Sequence, residues 1–213
     1  MRQLANEINL ITINKPNSPI SESYRKLRTN IRYASGNPVK VIMITSSGKG
    51  EGKTTTVSNL AVTFAQEDKN VLIVDMNFQN PSVHRIFNQP NSTGLTSILT
   101  DKHTWQEVVK DTPIHHLFLI TSGQLPAISS ELLRSYRMYQ LMDELRLHYD
   151  IILFDAPSVL EAADCLTVSA ICDGVVMVVM EGKEEKERVK QAKKSLERAH
   201  ARIIGAILNH TGS

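Results

Sequence analysis

Short, unbroken apolar runs recur along this 213-residue chain and alternate with segments of helical periodicity. The runs at 41–45, 71–75, 117–121, 151–155, 175–180 and 203–208 read as strands. Between them, 54–66, 130–147, 160–170 and 184–200 read as helices; Val57, Leu60, Ala61 and Phe64, for example, recur at helical spacing. Strands that are apolar throughout, rather than at every second position, are buried on both faces. The pattern therefore predicts an α/β fold with a doubly wound, mostly parallel central sheet flanked by helices. The stretch 80–113 is less regular and suggests only short helices near 94–99 and 104–110.

The N-terminus departs from this rhythm. Residues 1–19 are polar and contain prolines, which suggests an extended arm. Residues 20–34 read as a helix with one apolar stripe (Ile20, Tyr24, Leu27, Ile31, Ala34), while Arg25, Arg28 and Arg32 line another side. In 184–200, Val189, Ala192, Leu196 and Ala199 form an inward stripe and Glu184 and Arg188 an i,i+4 pair, as in a solvated amphipathic helix. No repeat or linker interrupts the chain, so 1–213 reads as a single domain.

Charge narrows the class. With 24 basic and 22 acidic residues the net charge is +2, which argues against a protein built to grip nucleic acid. No apolar run reaches the length needed to span a bilayer, so membrane association would have to come through a partner. Cys165 and Cys172, the only cysteines, sit among small and apolar residues and read as reduced core thiols of a cytoplasmic protein.

The chemistry gathers around the first strand. Val41-Ile42-Met43-Ile44 is followed by Ser47-Gly48-Lys49-Gly50-Glu51-Gly52-Lys53-Thr54 and then by the helical pattern from Thr54, with Thr55 beside it. Glycines let successive backbone N–H groups converge on phosphate oxygens, and the helix adds its positive end. In such a loop Lys53 reaches the β- and γ-phosphates and Thr54 offers its hydroxyl to Mg²⁺. The expected ligands are thus ATP or ADP with Mg²⁺. Lys49 reads either as a solvent-exposed loop lysine or as an auxiliary phosphate contact. Two aspartates close apolar strands, where ligands gather in a doubly wound sheet: Asp75 after Val71-Leu72-Ile73-Val74, and Asp155 after Ile151-Ile152-Leu153-Phe154. Asp155, before Ala156-Pro157, is the expected organiser of Mg²⁺. Asp75 is expected to help hold the metal or to orient, or take a proton from, an attacking hydroxyl.

These motifs, together with Glu22-Ser23-Tyr24-Arg25-Lys26-Leu27-Arg28, Asn59-Leu60-Ala61, Ile86-Phe87-Asn88-Gln89-Pro90, Ser130-Glu131-Leu132-Leu133 and Leu208-Asn209, resemble the bacterial tyrosine kinases of capsule and exopolysaccharide synthesis. The chain looks like their separately encoded cytosolic form, within the MinD/ParA-like P-loop ATPases. The resemblance implies γ-phosphoryl transfer from ATP to protein tyrosines, with activation by the cytosolic tail of a membrane adaptor. It also implies self-association through Glu22, Arg25 and Arg28, and a place for Asn209 near the adenine. Two features depart from the family. Its Asp-x-Asp-x-Arg motif reads Asp75-Met76-Asn77-Phe78-Gln79 here, so a second acid and an arginine are missing, whether by nature or by engineering. The sequence shows no C-terminal tyrosine cluster like the family's, its last tyrosine being Tyr149, so either it stops short of such a cluster or the protein does not modify itself in that way; Tyr24, Tyr33, Tyr136 and Tyr139 read as packing residues. Two further readings stay open: a catalytically weakened ATP-binding scaffold of the same machinery, and a partitioning-type switch ATPase. Gly48, where the switch group's signature lysine would fall, counts against the latter.

Overall fold

The computed structural model describes residues 8–34, 39–125, 129–182 and 186–209. Glu184 of the expected pair, residues 1–7 of the expected arm and 126–128 lie outside them.

Seven strands form one sheet: β1 (Val41–Ser46), β2 (Val71–Asp75), β3 (Lys110–Asp111), β4 (Leu117–Ile120), β5 (Ile151–Asp155), β6 (Gly174–Met180) and β7 (Ile203–Asn209), in the order β3-β4-β2-β5-β1-β6-β7. All pairings are parallel except β3 with β4. The central strands are buried on both faces, and their side chains alternate between two cores. Val41, Met43, Leu72 and Val74 join one core, and Ile42, Ile44, Val71 and Ile73 the other. Helix α3 (Lys53–Ala65) packs on the second face through Val57, Leu60, Ala61 and Phe64, each at most 2% exposed. Helix α2 (Pro19–Tyr33) lies against α3, with Ile31 buried and Tyr24 and Leu27 half-buried. The opposite face is covered by α5 (Leu95–Leu99), α6 (Trp105–Val108), α7 (Ser129–Arg134), α8 (Tyr136–His148), α9 (Asp164–Ser169) and α10 (Lys186–Arg198), all of which contribute to the first core. Among the described residues no helix is long and apolar enough to cross a membrane.

Several expectations need correction. The arm is not extended throughout: Ile11–Asn14 form a short helix, α1, and Leu10 and Thr12 are buried. Thr12 donates to Asn59 Oδ1 of α3 from both its backbone N (3.1 Å) and its Oγ1 (2.9 Å), so a tertiary contact, not local propensity, fixes this turn. Pro19 at the first helical turn and Ser18, which accepts from Ser21 N at 3.1 Å, start α2 at this point. The expected helix 130–147 is two helices. Ser135 adopts extended backbone and caps α8 by accepting from Met138 N, which breaks the run after Arg134. A short helix α4 (Val83–Ile86) and the two-residue β3 carry too little periodicity to be seen in advance. Tyr33, Tyr136 and Tyr139 are exposed rather than packed, Tyr136 at 76%. Cys165 is buried and Cys172 half-buried, both as free thiols.

Candidate active site

The register of the sheet assembles the site. Ile44 of β1 pairs with Asp155 of β5, and Asp155 pairs with Asp75 of β2, so both carboxylates stand at adjacent strand ends beside the turn that leaves β1. That turn needs its glycines: Gly50 and Gly52 have φ of 72° and 90°, the left-handed region. A β-carbon on Gly52 would lie 2.1 Å from Asn209 Nδ2, so no other residue fits there without displacement.

Lys53 opens α3 and is almost fully buried; its Nζ donates to Ser46 Oγ at 2.9 Å and approaches Gly48 O at 3.4 Å. Burial lowers its pKa, opposed by the charges of Asp155 and Glu51. Thr54 Oγ1 donates to Asp155 Oδ2 at 2.7 Å and lies 2.8 Å from Ser82 Oγ. The other oxygen of Asp155 is buried with no hydrogen-bond partner among the described residues. Burial, reinforced by the neighbouring Asp75, pushes Asp155 up to about 8. Burial likewise raises Asp75 to about 6, against the pull of three backbone N–H donors. A buried, partnerless carboxylate oxygen next to a threonine hydroxyl is the donor set of a Mg²⁺ site in this class of loop, so the residues fit the metal.

The other expected residues are placed in different ways. Asp75, the expected base, is fully buried: Oδ1 accepts from Asn77 N (3.0 Å), and Oδ2 from Ser82 N (3.1 Å) and Val83 N (3.2 Å). In this arrangement its side chain shapes the loop after β2. Glu51, expected among the nucleotide-binding residues of the loop, turns its side chain inward, while its backbone stays in the turn. Its carboxylate is wholly buried and accepts from Gly48 N (2.5 Å), Ser47 Oγ (2.9 Å) and Met180 N (3.0 Å). Asn209 Nδ2 donates to Glu51 O at 3.0 Å, bracing the loop from β7. Lys49 is exposed, with its Nζ 3.7 Å from Glu161 Oε2. Arg28 points onto α3, donating to Thr63 O and pairing with Glu67, while Arg25 pairs with Glu22 at 2.8 Å near the surface.

Two hollows meet at the first turn of α3. A cleft of about 510 Å³ is lined by Lys53, Thr54, Asn77, Gln79, Ser82 and Glu161 among others. A larger groove of about 670 Å³, between α2 and β7, includes Tyr24, Leu27, Asn59, Ile207 and Asn209. Thr55 lines both. Ser82 and Glu161 were not expected from the sequence; each is far from the loop along the chain and belongs to no recognisable spacing.

The family model described as an AAA domain matches residues 39–203. Tyrosine-protein kinase YwqD of Bacillus subtilis (strain 168) is 42% identical over 202 residues, covering 94% of this chain and 85% of the relative. The solved kinase domain of Escherichia coli tyrosine kinase ETK superposes with a TM-score of 0.93 at 30% identity, covering 100% of this chain and 84% of that one. The fold alone extends to the septum site-determining protein MinD of Pyrococcus horikoshii, solved with Mg-ADP: TM-score 0.69, 20% identity, 81% of this chain and 71% of that one. Matched by that family model over most of its length, and well over 30% identical to a tyrosine kinase along nearly all of it, this chain belongs to the bacterial tyrosine-kinase family of capsule and exopolysaccharide synthesis.

Proposed function

We propose that the protein transfers the γ-phosphoryl group of ATP to tyrosine hydroxyls of proteins, in contact with the cytosolic tail of a membrane adaptor. One observation carries this reading: the β1–α3 turn brings Lys53 and Thr54 to the lining of a cleft, with the buried Asp155 hydrogen-bonded to Thr54. The loop's backbone N–H groups and the start of α3 would hold the phosphates. Lys53, now donating to Ser46 Oγ, would turn its ammonium to the β- and γ-oxygens. Thr54 and Asp155 would hold Mg²⁺, which when bound neutralises charge on those oxygens. The nucleoside would follow Thr55 into the groove that Asn209 lines.

Partners follow the same line. Glu22 and Arg25 remain near the surface of α2 and would meet another copy, whereas Arg28 would support that surface from within. The adaptor would hold the protein at the cytoplasmic face of the membrane.

The test mixes the protein with Mg-ATP and the adaptor's cytosolic segment and follows phosphotyrosine, with Lys53→Ala as control. Tyrosine labelling that disappears in the control supports the kinase. Saturable ATP binding without labelling supports the weakened scaffold, a second reading favoured by the amides of Asn77 and Gln79 on the cleft wall.

A further inference from the structure

Among the described residues lining the cleft beside the phosphate loop, Glu161 is the only acid. The lining also includes the amides of Asn77, Gln79 and Asn80, which are neutral and take no proton. Asp75 is sealed below the surface with both oxygens held by backbone N–H groups. Asp155 is buried against Thr54. A phenol entering the cleft therefore meets one carboxylate, that of Glu161, which lines it together with Pro157, Ser158 and Ala162.

Glu161 is also held in place. Its backbone N donates to Ser158 O at 3.1 Å, closing a turn, and Ser158 Oγ donates to Oε2 at 2.9 Å. Lys49 Nζ stands 3.7 Å from the same oxygen. Both contacts fall on Oε2, so Oε1 has no hydrogen bond to a described residue, and the side chain is 30% exposed. Its charge reaches the buried ammonium of Lys53. A carboxylate fixed through one oxygen and open through the other is suited to receive a proton.

We propose that Glu161 is the catalytic residue that accepts the proton of the substrate tyrosine, in place of the acid absent at Asn77. This rests on the kinase reading above. In the step, the phenol O–H bond breaks and its proton passes to the Glu161 carboxylate. The phenol oxygen forms a bond to the γ-phosphorus, the bond from that phosphorus to the β,γ-bridging oxygen breaks, and its electron pair leaves with ADP.

The test compares wild type, Glu161→Gln, Asn77→Asp and the double variant on a synthetic glutamate–tyrosine copolymer with Mg-ATP and the adaptor's cytosolic segment present, alongside ADP titration and thermal melting. Glu161→Gln should lower kcat by about 10²-fold, while the KM for ATP and the affinity for ADP change by less than about threefold. Adding Asn77→Asp to Glu161→Gln should restore about tenfold or more, because an acid returns to the lining of the cleft. A kcat for Glu161→Gln within about twofold of wild type overturns the assignment. So does an equal loss of ADP affinity and melting temperature, which makes Glu161 a brace. Wild type that binds Mg-ADP yet labels no tyrosine removes the kinase reading and this assignment together, whereas labelling untouched by Glu161→Gln removes the assignment alone.

Discussion

Thr54 Oγ1 and Asp155 Oδ2 meet at 2.7 Å, tying the first turn of α3 to the end of β5. The second oxygen of Asp155 is buried without a partner among the described residues, a cost that a divalent cation would remove. Asp155→Asn keeps the shape and removes the charge. Titration of ADP with and without Mg²⁺ should show that the metal-dependent gain in affinity disappears in this variant. Tyrosine transfer should fall by about 10²-fold or more, the scale of losing one charge-stabilising group.

The buried aspartates give the nucleotide-free protein a definite pH dependence. Burial raises Asp75 to about 6 and Asp155 to about 8, from 3.8. The native state then binds more protons than the unfolded chain across that interval, so stability falls as pH rises through it. Denaturation midpoints should decline from about pH 5 to about pH 8, and Asp155→Asn should flatten the upper part of the slope. Midpoints that climb steadily over this range would refute the assignment of raised values.

Glu51 holds the phosphate loop from inside. Truncation to alanine would leave Gly48 N, Met180 N and the Ser47 hydroxyl without their acceptor. Each buried unpaired donor costs about 1–3 kcal/mol, so Glu51→Ala should lose several kcal/mol in urea unfolding and bind ADP more weakly. Glu51→Gln keeps one carbonyl acceptor and should fall between the two. Wild-type stability in both variants would mean that the loop is held by other contacts.

Gly52 leaves no room for a side chain unless Asn209 moves. An alanine there would meet Asn209 Nδ2 at 2.1 Å and would have to adopt a φ of 90°. Gly52→Ala should abolish measurable ADP binding. Adding Asn209→Ala removes the clash but not the backbone strain, about 1–2 kcal/mol, so binding should return only in part.

Arg25 and Arg28 sit one turn apart and should behave differently. Arg28, 12% exposed, bonds Thr63 O and Glu67, so Arg28→Ala should lower stability by about 1–3 kcal/mol. The Arg25–Glu22 pair is near the surface and contributes at most about 1 kcal/mol. Arg25→Ala should therefore leave the melting temperature nearly unchanged but shift self-association, as read by light scattering with the adaptor segment present.

The sheet was legible in the sequence because its central strands are buried on both faces and leave unbroken apolar runs. The phosphate loop was legible because glycine at a positive φ beside Lys53 and Thr54 has few other uses. What stayed hidden depends on contacts distant in the chain. Nothing local marks Ile11–Asn14 as helical; Asn59, 47 residues from Thr12, fixes it. Ser135 did carry a signal, a cap residue inside a helical pattern, and the long periodic run masked it. The inward turn of Glu51, the sealing of Asp75 and the presence of Glu161 in the cleft all follow from how strand ends and loops meet. Spacing along one chain does not encode that.

β7 is the outermost strand on its side of the sheet, yet its last residue, Asn209, reaches back to the carbonyl of Glu51. That contact should couple occupancy of the loop to fraying of the sheet's margin. Amide hydrogens along Ile203–Asn209 should exchange with deuterium more slowly once Mg-ADP is bound, so the rim of the molecule would report the state of its centre.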